Sequence, residues 1–205
     1  MAQITTGLRS VLSHPHIYDL MQNIMGAQSF RKYFVANYIR PAPGDRILDL
    51  GCGTADILSF LTSVEYHGYD ISFQYISSAK KRFGNRGVFH QEIFTEEMAS
   101  RKEKFNVSLA MGVLHHLDDE TAHSLLRTAH ASLHRGGRFV SHDPVFVDGQ
   151  NPIARFLISK DRGQNVRTQS EYVKLVKDVF PSFSSQTREQ SWIPYTHCFL
   201  NAEKS

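Results

Sequence analysis

Short apolar runs alternate with amphipathic stretches along most of the chain. The runs typical of strands lie at residues 46–50, 64–69, 87–91, 105–111 and 138–143. Between them, apolar residues recur every three or four positions, for example at Phe73, Ile76, Ala79 and Phe83, and this spacing predicts helices. The other predicted helices are 16–25, 28–40, 54–63, one that begins at Asp118 and ends at Gly136, and 169–180. Two last strands, at 183–190 and 195–202, are expected to form a hairpin at the sheet edge.

Strands that alternate with helices predict an α/β fold, in which helices cover both faces of a doubly wound, mostly parallel sheet. Ligands of such sheets bind beyond the carboxyl ends of the strands, near the first strand. The 205 residues are expected to form one domain. Its predicted parts are an N-terminal helical lid at 1–43, a cofactor-binding core at 44–143, an acceptor-side insertion at 144–168, and a helix with the terminal strands at 169–205.

Composition narrows the class of protein only slightly. With 41% hydrophobic and 21% charged residues and a net charge of +3, the chain is typical of globular proteins and gives no reason to expect a specific nucleic-acid partner. No apolar run approaches the roughly 20 residues that span a bilayer, and the N-terminus lacks the pattern of a secretory signal. Cys52 and Cys198 have no disulfide or zinc spacing. We therefore expect a cytoplasmic protein, a monomer or a homodimer.

The first predicted strand ends in the stretch ILDLGCGTAD, where Gly51 and Gly53 allow the backbone to approach a ligand closely. Dinucleotides and S-adenosylmethionine are the two cofactor classes that fit such a loop. A dinucleotide site has a third glycine where this chain has Asp56, and a carboxylate there would repel a diphosphate at the start of a helix. The sulfonium and ammonium groups of S-adenosylmethionine instead suit Asp49 and other oxygen acceptors.

Asp70 ends the second predicted strand, where an acidic side chain can accept hydrogen bonds from ribose hydroxyls. This position indicates an adenosine ligand but does not choose between the two cofactor classes. The alternative interpretation is that the two glycines serve only a tight turn.

The stretches ILDLGCGTAD, YHGYDIS, FNVSLAMGVLHHL and SLHRGGRFVSHD follow one another in this order. Over residues 47–143 the chain thereby resembles the class I S-adenosylmethionine-dependent methyltransferase family, most of all its small-molecule branch that includes the quinone-biosynthesis methyltransferases. The resemblance implies a Rossmann-like, seven-stranded sheet whose last strand is antiparallel. It also implies a cofactor over the first two strands and an acceptor over the fourth and fifth.

The resemblance further implies roles for single residues. Those that would contact S-adenosylmethionine are Asp49, Gly51 and Gly53 at the methionine part, Arg31 at its carboxylate, Asp70 at the ribose, Ile71 and Glu92 at the adenine, and Met111 on the other side of the cofactor. Tyr18 would lie near the reacting methyl group. The chain departs from the family pattern at Ala55 and Asn106, and Gln91 competes with Glu92 for the adenine amine.

Methyl transfer is an in-line displacement that needs a base only when the acceptor must lose a proton. The predicted strand ends place His115 and His116 after the fourth strand, and His142 and Asp143 at the end of the fifth. Our catalytic candidates are His116, His142 and Asp143, together with Tyr18. The alternative for each histidine is an ordinary packing or capping role.

His116, His123 and His130 recur every seven residues, which suggests a metal site only at first sight. The spacing spreads them over several helical turns, whereas helical metal ligands stand at i and i+4, so a solvated helix face is the better interpretation. We predict no metal.

The insertion carries Arg155, Arg162 and Arg167, whose guanidinium groups suit a carboxylate or phosphate. The hypothesis is that they bind an anionic acceptor; the alternative is that they are solubilising charges.

The leading prediction is an enzyme that methylates O, N or an activated C of a small molecule. An RNA or protein methyltransferase of the same fold comes second, a non-catalytic cofactor-binding protein third and a dehydrogenase fourth. The base-amino methyltransferases of this fold carry Asn/Asp-Pro-Pro-aromatic after the fourth strand, where this chain reads GVLHHL.

Overall fold

The computed structural model of the chain describes residues 27–101, 103–161, 163–189 and 195–205. The predicted helix at 16–25, with Tyr18, lies outside the described residues, and so does Arg162.

Strands and helices alternate through the core as predicted. The strands are β1 (Arg46–Leu50), β2 (Glu65–Tyr69), β3 (Val88–His90), β4 (Phe105–Met111), β5 (Leu133–Phe146), β6 (Arg167–Thr168), β7 (Ser182–Glu189) and β8 (Thr196–Glu203). The helices are α1 (Ala27–Phe34), α2 (Phe73–Phe83), α3 (Glu96–Arg101), α4 (Asp119–Ser132), α5 (Pro152–Ser159) and α6 (Gln169–Lys177). A π-helical turn, Val35–Ile39, follows α1, and short 3₁₀ helices span Asp56–Phe60, Gly84–Arg86 and Leu114–His116.

Seven strands form one sheet in the order β3-β2-β1-β4-β5-β8-β7, and the two-residue β6 pairs with β5. β1 to β5 are parallel, while β8 runs antiparallel to both β5 and β7. This architecture confirms the predicted fold class. The strand order reverses between β1 and β4, so a crevice opens at their carboxyl ends, where sheets of this kind bind ligands.

Helices cover both faces of the sheet. Alternate residues of β1 show this, because Leu48 and Leu50 belong to the hydrophobic cluster built with α4 and α6, whereas Ile47 belongs to the cluster built with α1 and α2. Ile47 and Leu48 are both fully buried. A strand covered on both faces reads as a continuous apolar run, which is why β1 was visible in the sequence. Within the described ranges, no helix has the length and apolar character to cross a membrane.

Local sequence determines several helix ends. The Ser72 hydroxyl caps α2 by accepting the Tyr75 N–H, and Gly84 ends this helix with φ +55°. The Asp118 carboxylate caps α4 by accepting the Thr121 N–H. The start of α4 at Asp118 was predicted from the sequence and is confirmed.

Other elements differ from the sequence-based expectation. The helix predicted at 54–63 is only a 3₁₀ helix, Asp56–Phe60, because Ala55 enters it in a left-handed conformation and Leu61 leaves it extended. α4 ends at Ser132, since β5 already pairs with β4 from Leu133 onward. α3, α5 and β6 were not predicted. The sequence did contain a signal for α5, because Asn151 caps it and Pro152 follows at its first turn.

Candidate active site

The loop after β1 is held against the end of β2. The N–H groups of Gly51 and Cys52 both donate to the Tyr69 carbonyl, at 2.8 and 3.0 Å. Gly51, Gly53 and Ala55 have φ values of +74°, +54° and +56°, so three of five successive residues are left-handed. Such a conformation turns the backbone sharply at the crevice between β1 and β2 and is the reason for the glycines.

The two glycines meet different surroundings. A Cβ on Gly51 would lie 2.7 Å from Cγ2 of Val113, in the loop after β4, whereas a Cβ on Gly53 would have no neighbour within 4 Å. The close approach that the sequence indicated at Gly51 is therefore, at least in part, an approach to a side chain of the same chain. Only Gly53 borders open space in which a ligand could lie.

This difference makes a test of the loop possible. We expect Gly51→Ala to lower the free energy of unfolding by about 2 kcal/mol or more, because the left-handed backbone and the contact with Val113 both oppose a Cβ. Gly53→Ala carries only the backbone penalty of about 1 kcal/mol. Urea unfolding of both variants measures the difference. A Val113→Ala change should recover part of the loss in Gly51→Ala and none in Gly53→Ala; equal effects on both would contradict the assignment.

Asp49 lies fully buried in β1 beneath this loop. The Tyr66 hydroxyl donates to its Oδ2 at 2.5 Å, but its Oδ1 has no hydrogen-bond partner among the described residues. Burial raises the pKa of Asp49 to about 7; the Tyr66 hydrogen bond opposes this rise, and the nearby Asp70 carboxylate adds to it. A buried carboxylate oxygen without a donor is suited to a cationic ligand, so the residues present fit S-adenosylmethionine.

Asp70 connects β2 to the glycine loop. Its two oxygens accept the N–H groups of Gly53 and Ser72, at 3.0 and 2.8 Å. Two apolar side chains are exposed beside the ends of β2 and β3, Ile71 at 49% and Ile93 at 63%. Exposed isoleucines at this position provide an apolar surface for a planar base. Ile93 was not among the predicted residues, although it directly follows Glu92 in the sequence.

The structure corrects the electrostatic argument against diphosphates. Arg31 binds the Asp56 carboxylate at 2.9 Å, and Arg82 binds its other oxygen, so the charge that was expected to repel phosphate is compensated. A diphosphate site is disfavoured for another reason: the loop leads into a five-residue 3₁₀ helix, which has little helix dipole to offer an anion. Because Arg31 pairs with Asp56, its contact with the methionine carboxylate stays a prediction.

The structure places two further residues that were predicted to contact the cofactor, Met111 and Glu92. Met111 ends β4 and is half-buried, and the exposed Glu92 has its carboxylate 3.6 Å from Nδ1 of His90. Both roles stay predictions.

A buried histidine and a buried carboxylate meet at the carboxyl ends of β4 and β5. Nδ1 of His115 lies 2.8 Å from Oδ1 of Asp143, and the His115 backbone N–H donates to the same oxygen. The two residues are only 5% and 2% exposed. Burial acts to lower the pKa of His115, but hydrogen bonds to Asp143 and Asp161 outweigh it and raise the pKa to about 9. Burial also raises the pKa of Asp143.

The structure brings His115, rather than His116, to Asp143. His116 is half-buried and its ring centroid lies 4.0 Å from that of His115. Both histidines follow β4 in sequence, and the rotation of the 3₁₀ turn Leu114–His116 decides which of them faces β5. The base role predicted for His116 therefore receives no support, and His115 joins Asp143 as a candidate.

His142 lies on the other face of the sheet from Asp143, because adjacent residues of a strand point to opposite sides. Its ring packs edge-on against Phe30 and Phe34 of α1, with centroids 5.1 and 4.9 Å apart. Burial lowers its pKa well below the usual value, so the ring is neutral. The structure thus separates His142 from the His115–Asp143 pair, and the predicted catalytic role of His142 receives no support.

Arg167 does not face an acceptor. Its guanidinium is buried and donates to the Asp119 carboxylate and to the carbonyl oxygens of Leu114, Leu117 and Asn165. All three of its nitrogens are engaged within the chain, so the prediction that Arg167 binds substrate receives no support. Its role is to fasten the His115 turn to the start of β6. Arg155, by contrast, is exposed on α5 and stacks on Phe146, and its predicted role is untested.

We expect Arg167→Ala to lower the free energy of unfolding by about 2 kcal/mol, because it removes the buried guanidinium that donates to the carbonyl oxygens of Leu114 and Leu117; the Leu114 carbonyl keeps only the Leu117 N–H as a donor. Thermal and urea unfolding measure this loss. Arg155→Ala is the matched control on the surface and should change stability by less than about 0.5 kcal/mol. A loss equal to that of the control would contradict the structural role of Arg167.

His123 and His130 follow His116 along α4, but no group of three possible metal ligands was found in the part of the chain that the structure describes. The ring of His130 packs edge-on against Phe180 at 5.1 Å.

A family model matches the central part of the chain. Residues 48–139, which hold the glycine loop, Asp70 and His115, match a family model described as a methyltransferase domain. The match agrees with the resemblance to methyltransferases that the sequence predicted.

Two curated relatives match a larger part of the chain. It is 26% identical over 165 residues to the tRNA U34 carboxymethyltransferase of Campylobacter hominis, with 75% of this chain and 55% of the relative covered. It is 30% identical over 154 residues to the ubiquinone/menaquinone biosynthesis C-methyltransferase UbiE of Xanthomonas campestris, with 68% and 59% covered. The chain thus spans little more than half the length of these relatives.

A solved structure supports the fold. The magnesium protoporphyrin IX methyltransferase of Synechocystis, solved with bound S-adenosylhomocysteine, superposes with a TM-score of 0.63. The match covers 90% of this chain and 84% of that protein at 19% identity.

Proposed function

We propose that the protein transfers a methyl group from S-adenosylmethionine to a hydroxyl group of a small molecule, with His115 as the base. The observation that carries this proposal is the buried His115–Asp143 pair at the carboxyl ends of β4 and β5. Val113 links the two halves of the site, because it packs against Gly51 and stands two residues before His115. The turn that holds the base therefore contacts the loop that would hold the cofactor.

The residues around the glycine loop would hold the cofactor. Asp49 would accept the ammonium group at its unpartnered Oδ1, Gly53 would border the methionine part, and Asp70 would accept the ribose hydroxyls. Ile71 and Ile93 would flank the adenine. When bound, S-adenosylmethionine supplies the electrophilic methyl group.

His115 can take the proton that a hydroxyl group must lose. Asp143 accepts the Nδ1 proton, fixes the tautomer that leaves Nε2 for the acceptor, and stabilises the imidazolium that forms. An acceptor that already carries a negative charge at the reacting oxygen would need no such base. The pair thus favours a protonated hydroxyl over the anionic acceptor suggested by the arginines of the insertion.

The test is direct. The protein is incubated with S-adenosylmethionine and fractionated metabolite extract, and S-adenosylhomocysteine and a product heavier by one methyl group are measured. We expect release with fractions rich in phenols and other hydroxyl compounds. Binding of S-adenosylmethionine without release from any fraction would favour a non-catalytic binding protein, and tight NAD(H) binding without S-adenosylmethionine binding would favour a dehydrogenase.

An RNA substrate is the second candidate, and the relationship to a tRNA carboxymethyltransferase favours it. A mobility-shift titration with bulk tRNA tests it. Tight binding that weakens steeply with salt supports this candidate, because phosphate contacts release counterions. Absence of a shift at physiological salt leaves the small-molecule acceptor.

A further inference from the structure

The nitrogen of His115 that would receive the acceptor proton already has a partner. Nε2 lies 3.2 Å from Oδ1 of Asp161, while Nδ1 is held by Asp143 at 2.8 Å. The imidazole is thus placed between two carboxylates. No lone pair at Nε2 is available to an acceptor in this arrangement.

Several contacts hold Asp161 in this place. The Gly163 N–H donates to its Oδ1 at 2.9 Å, and the Tyr195 hydroxyl donates to its Oδ2. Gly163 itself packs against the imidazole, since a Cβ there would lie 2.0 Å from Cδ2 of His115. The Asn165 N–H donates to the His115 carbonyl at 2.9 Å. The contact between Asp161 and His115 is therefore part of a packed arrangement and does not depend on one hydrogen bond.

We infer that Asp161 is a positioning residue that occupies the acceptor's place at Nε2 of His115, so that the acceptor hydroxyl must displace this carboxylate to reach the base. The inference rests on the proposed function and names a control step of the same site. Asp161 is the carboxylate that can leave, because its side chain is 22% exposed, whereas that of Asp143 is 2% exposed and also accepts the His115 main-chain N–H.

The displacement also changes the protonation of His115. Between two carboxylates the ring is an imidazolium at neutral pH, since its pKa is raised to about 9. When Asp161 leaves, one of the two stabilising charges is lost, so the pKa of His115 falls and a larger fraction of the rings releases the Nε2 proton to solvent. The freed Nε2 then takes the proton of the acceptor hydroxyl. Asp161 thereby keeps the base inactive until an acceptor is present.

The other titratable groups around His115 do not account for this state. His142 and His197 both have lowered pKa values because they are buried, so they are neutral at pH 7. The ring of His116 lies against that of His115 and Tyr195 contacts Asp161, but neither adds a carboxylate. Asp143 stays in place, so Asp161 is the carboxylate whose departure changes the charge beside His115.

Nuclear magnetic resonance titration of the imidazole nitrogens tests the inference without any acceptor. We expect the His115 pKa to fall by about 1 to 2 units in Asp161→Asn. The same direction is expected in Gly163→Ala, whose Cβ must push the Asp161 turn off the ring. Asp148→Asn, an exposed change in the same connection, is the matched control and should leave the pKa unchanged.

Modification by diethyl pyrocarbonate gives a second readout, because only an accessible, neutral imidazole reacts. Mass spectrometry should show about tenfold faster modification of His115 in Asp161→Asn than in the wild type or the control at pH 7, as a larger neutral fraction implies.

An unchanged His115 pKa together with unchanged reactivity in Asp161→Asn would overturn the inference. If this variant does not fold, Tyr195→Phe replaces it, and the same criteria apply with a smaller shift. Failure of the proposed function would instead appear as absence of S-adenosylhomocysteine release in the wild type, which neither measurement uses.

Discussion

Replacement of His115 by glutamine is expected to slow methyl transfer by about 10² to 10⁴-fold, the contribution of a positioned general base. Glutamine retains a polar side chain of similar reach for Asp143 but cannot take a proton. Cofactor affinity should change little, because His115 lies after β4 and outside the glycine loop. Release of S-adenosylhomocysteine with the active extract fraction measures the rate, and calorimetry measures the affinity.

The comparison with His116→Gln separates the two adjacent histidines. If the base is His115, the His116 variant should lose far less activity, and His123→Gln on α4 serves as the control for a histidine remote from the site. An equal loss in the two adjacent variants would show that the turn as a whole matters and not the proton acceptor. A loss only in His116→Gln would restore the assignment made from the sequence.

Asp49→Asn is expected to weaken cofactor binding by about 100-fold at pH 8, within the range of 2–5 kcal/mol for removal of one partner of a buried charge pair. Asparagine can still accept the Tyr66 hydrogen bond, so the fold should persist. Calorimetric titration with S-adenosylmethionine and with S-adenosylhomocysteine gives the affinities. The loss should be larger for S-adenosylmethionine, which carries the additional sulfonium charge.

The pH dependence of binding provides the signature of Asp49. Its pKa is about 7 in the protein without ligand, so the ionised fraction that attracts a cation rises between pH 6 and pH 8. The wild-type affinity should increase about tenfold over this interval. In Asp49→Asn the affinity should not change with pH over this interval. A pH-independent wild-type affinity would assign the ammonium group to another residue.

The ionisation of Asp49 also makes the free energy of unfolding depend on pH. The pKa of Asp49 is raised from 3.8 to about 7 on folding, so its favourable contribution is complete below pH 4 and is lost as the pH rises to 7. The loss amounts to about 4 kcal/mol without ligand. A cationic ligand compensates the ionised carboxylate, so the increase in melting temperature caused by S-adenosylmethionine should be largest above pH 7.

Much of the fold could be predicted from the sequence. β1 and β4 begin and end at the predicted residues, because both are buried on two faces and therefore read as unbroken apolar runs. The glycine loop and Asp70 were also found, since left-handed turns need glycine and the end of β2 is a recurring position for a ligand acid. Apolar runs and glycine turns depend on residues that are close together in the chain, so they can be recognised from the sequence.

The chemistry of the site depended on contacts between residues far apart in the chain. Only the folded chain shows that His115 rather than His116 meets Asp143, because the rotation of one short turn separates them. Only the folded structure shows that Arg167 donates hydrogen bonds within the chain and that Asp161 contacts His115.

The sequence by itself determined the strands of the main sheet, the glycine loop after β1 and the resemblance to methyltransferases. The tertiary structure decided which side chains act together and which charges are compensated. The physical reason is that periodicity and turn preference are short-range properties, whereas hydrogen-bond partners and burial are set by the packing of distant segments.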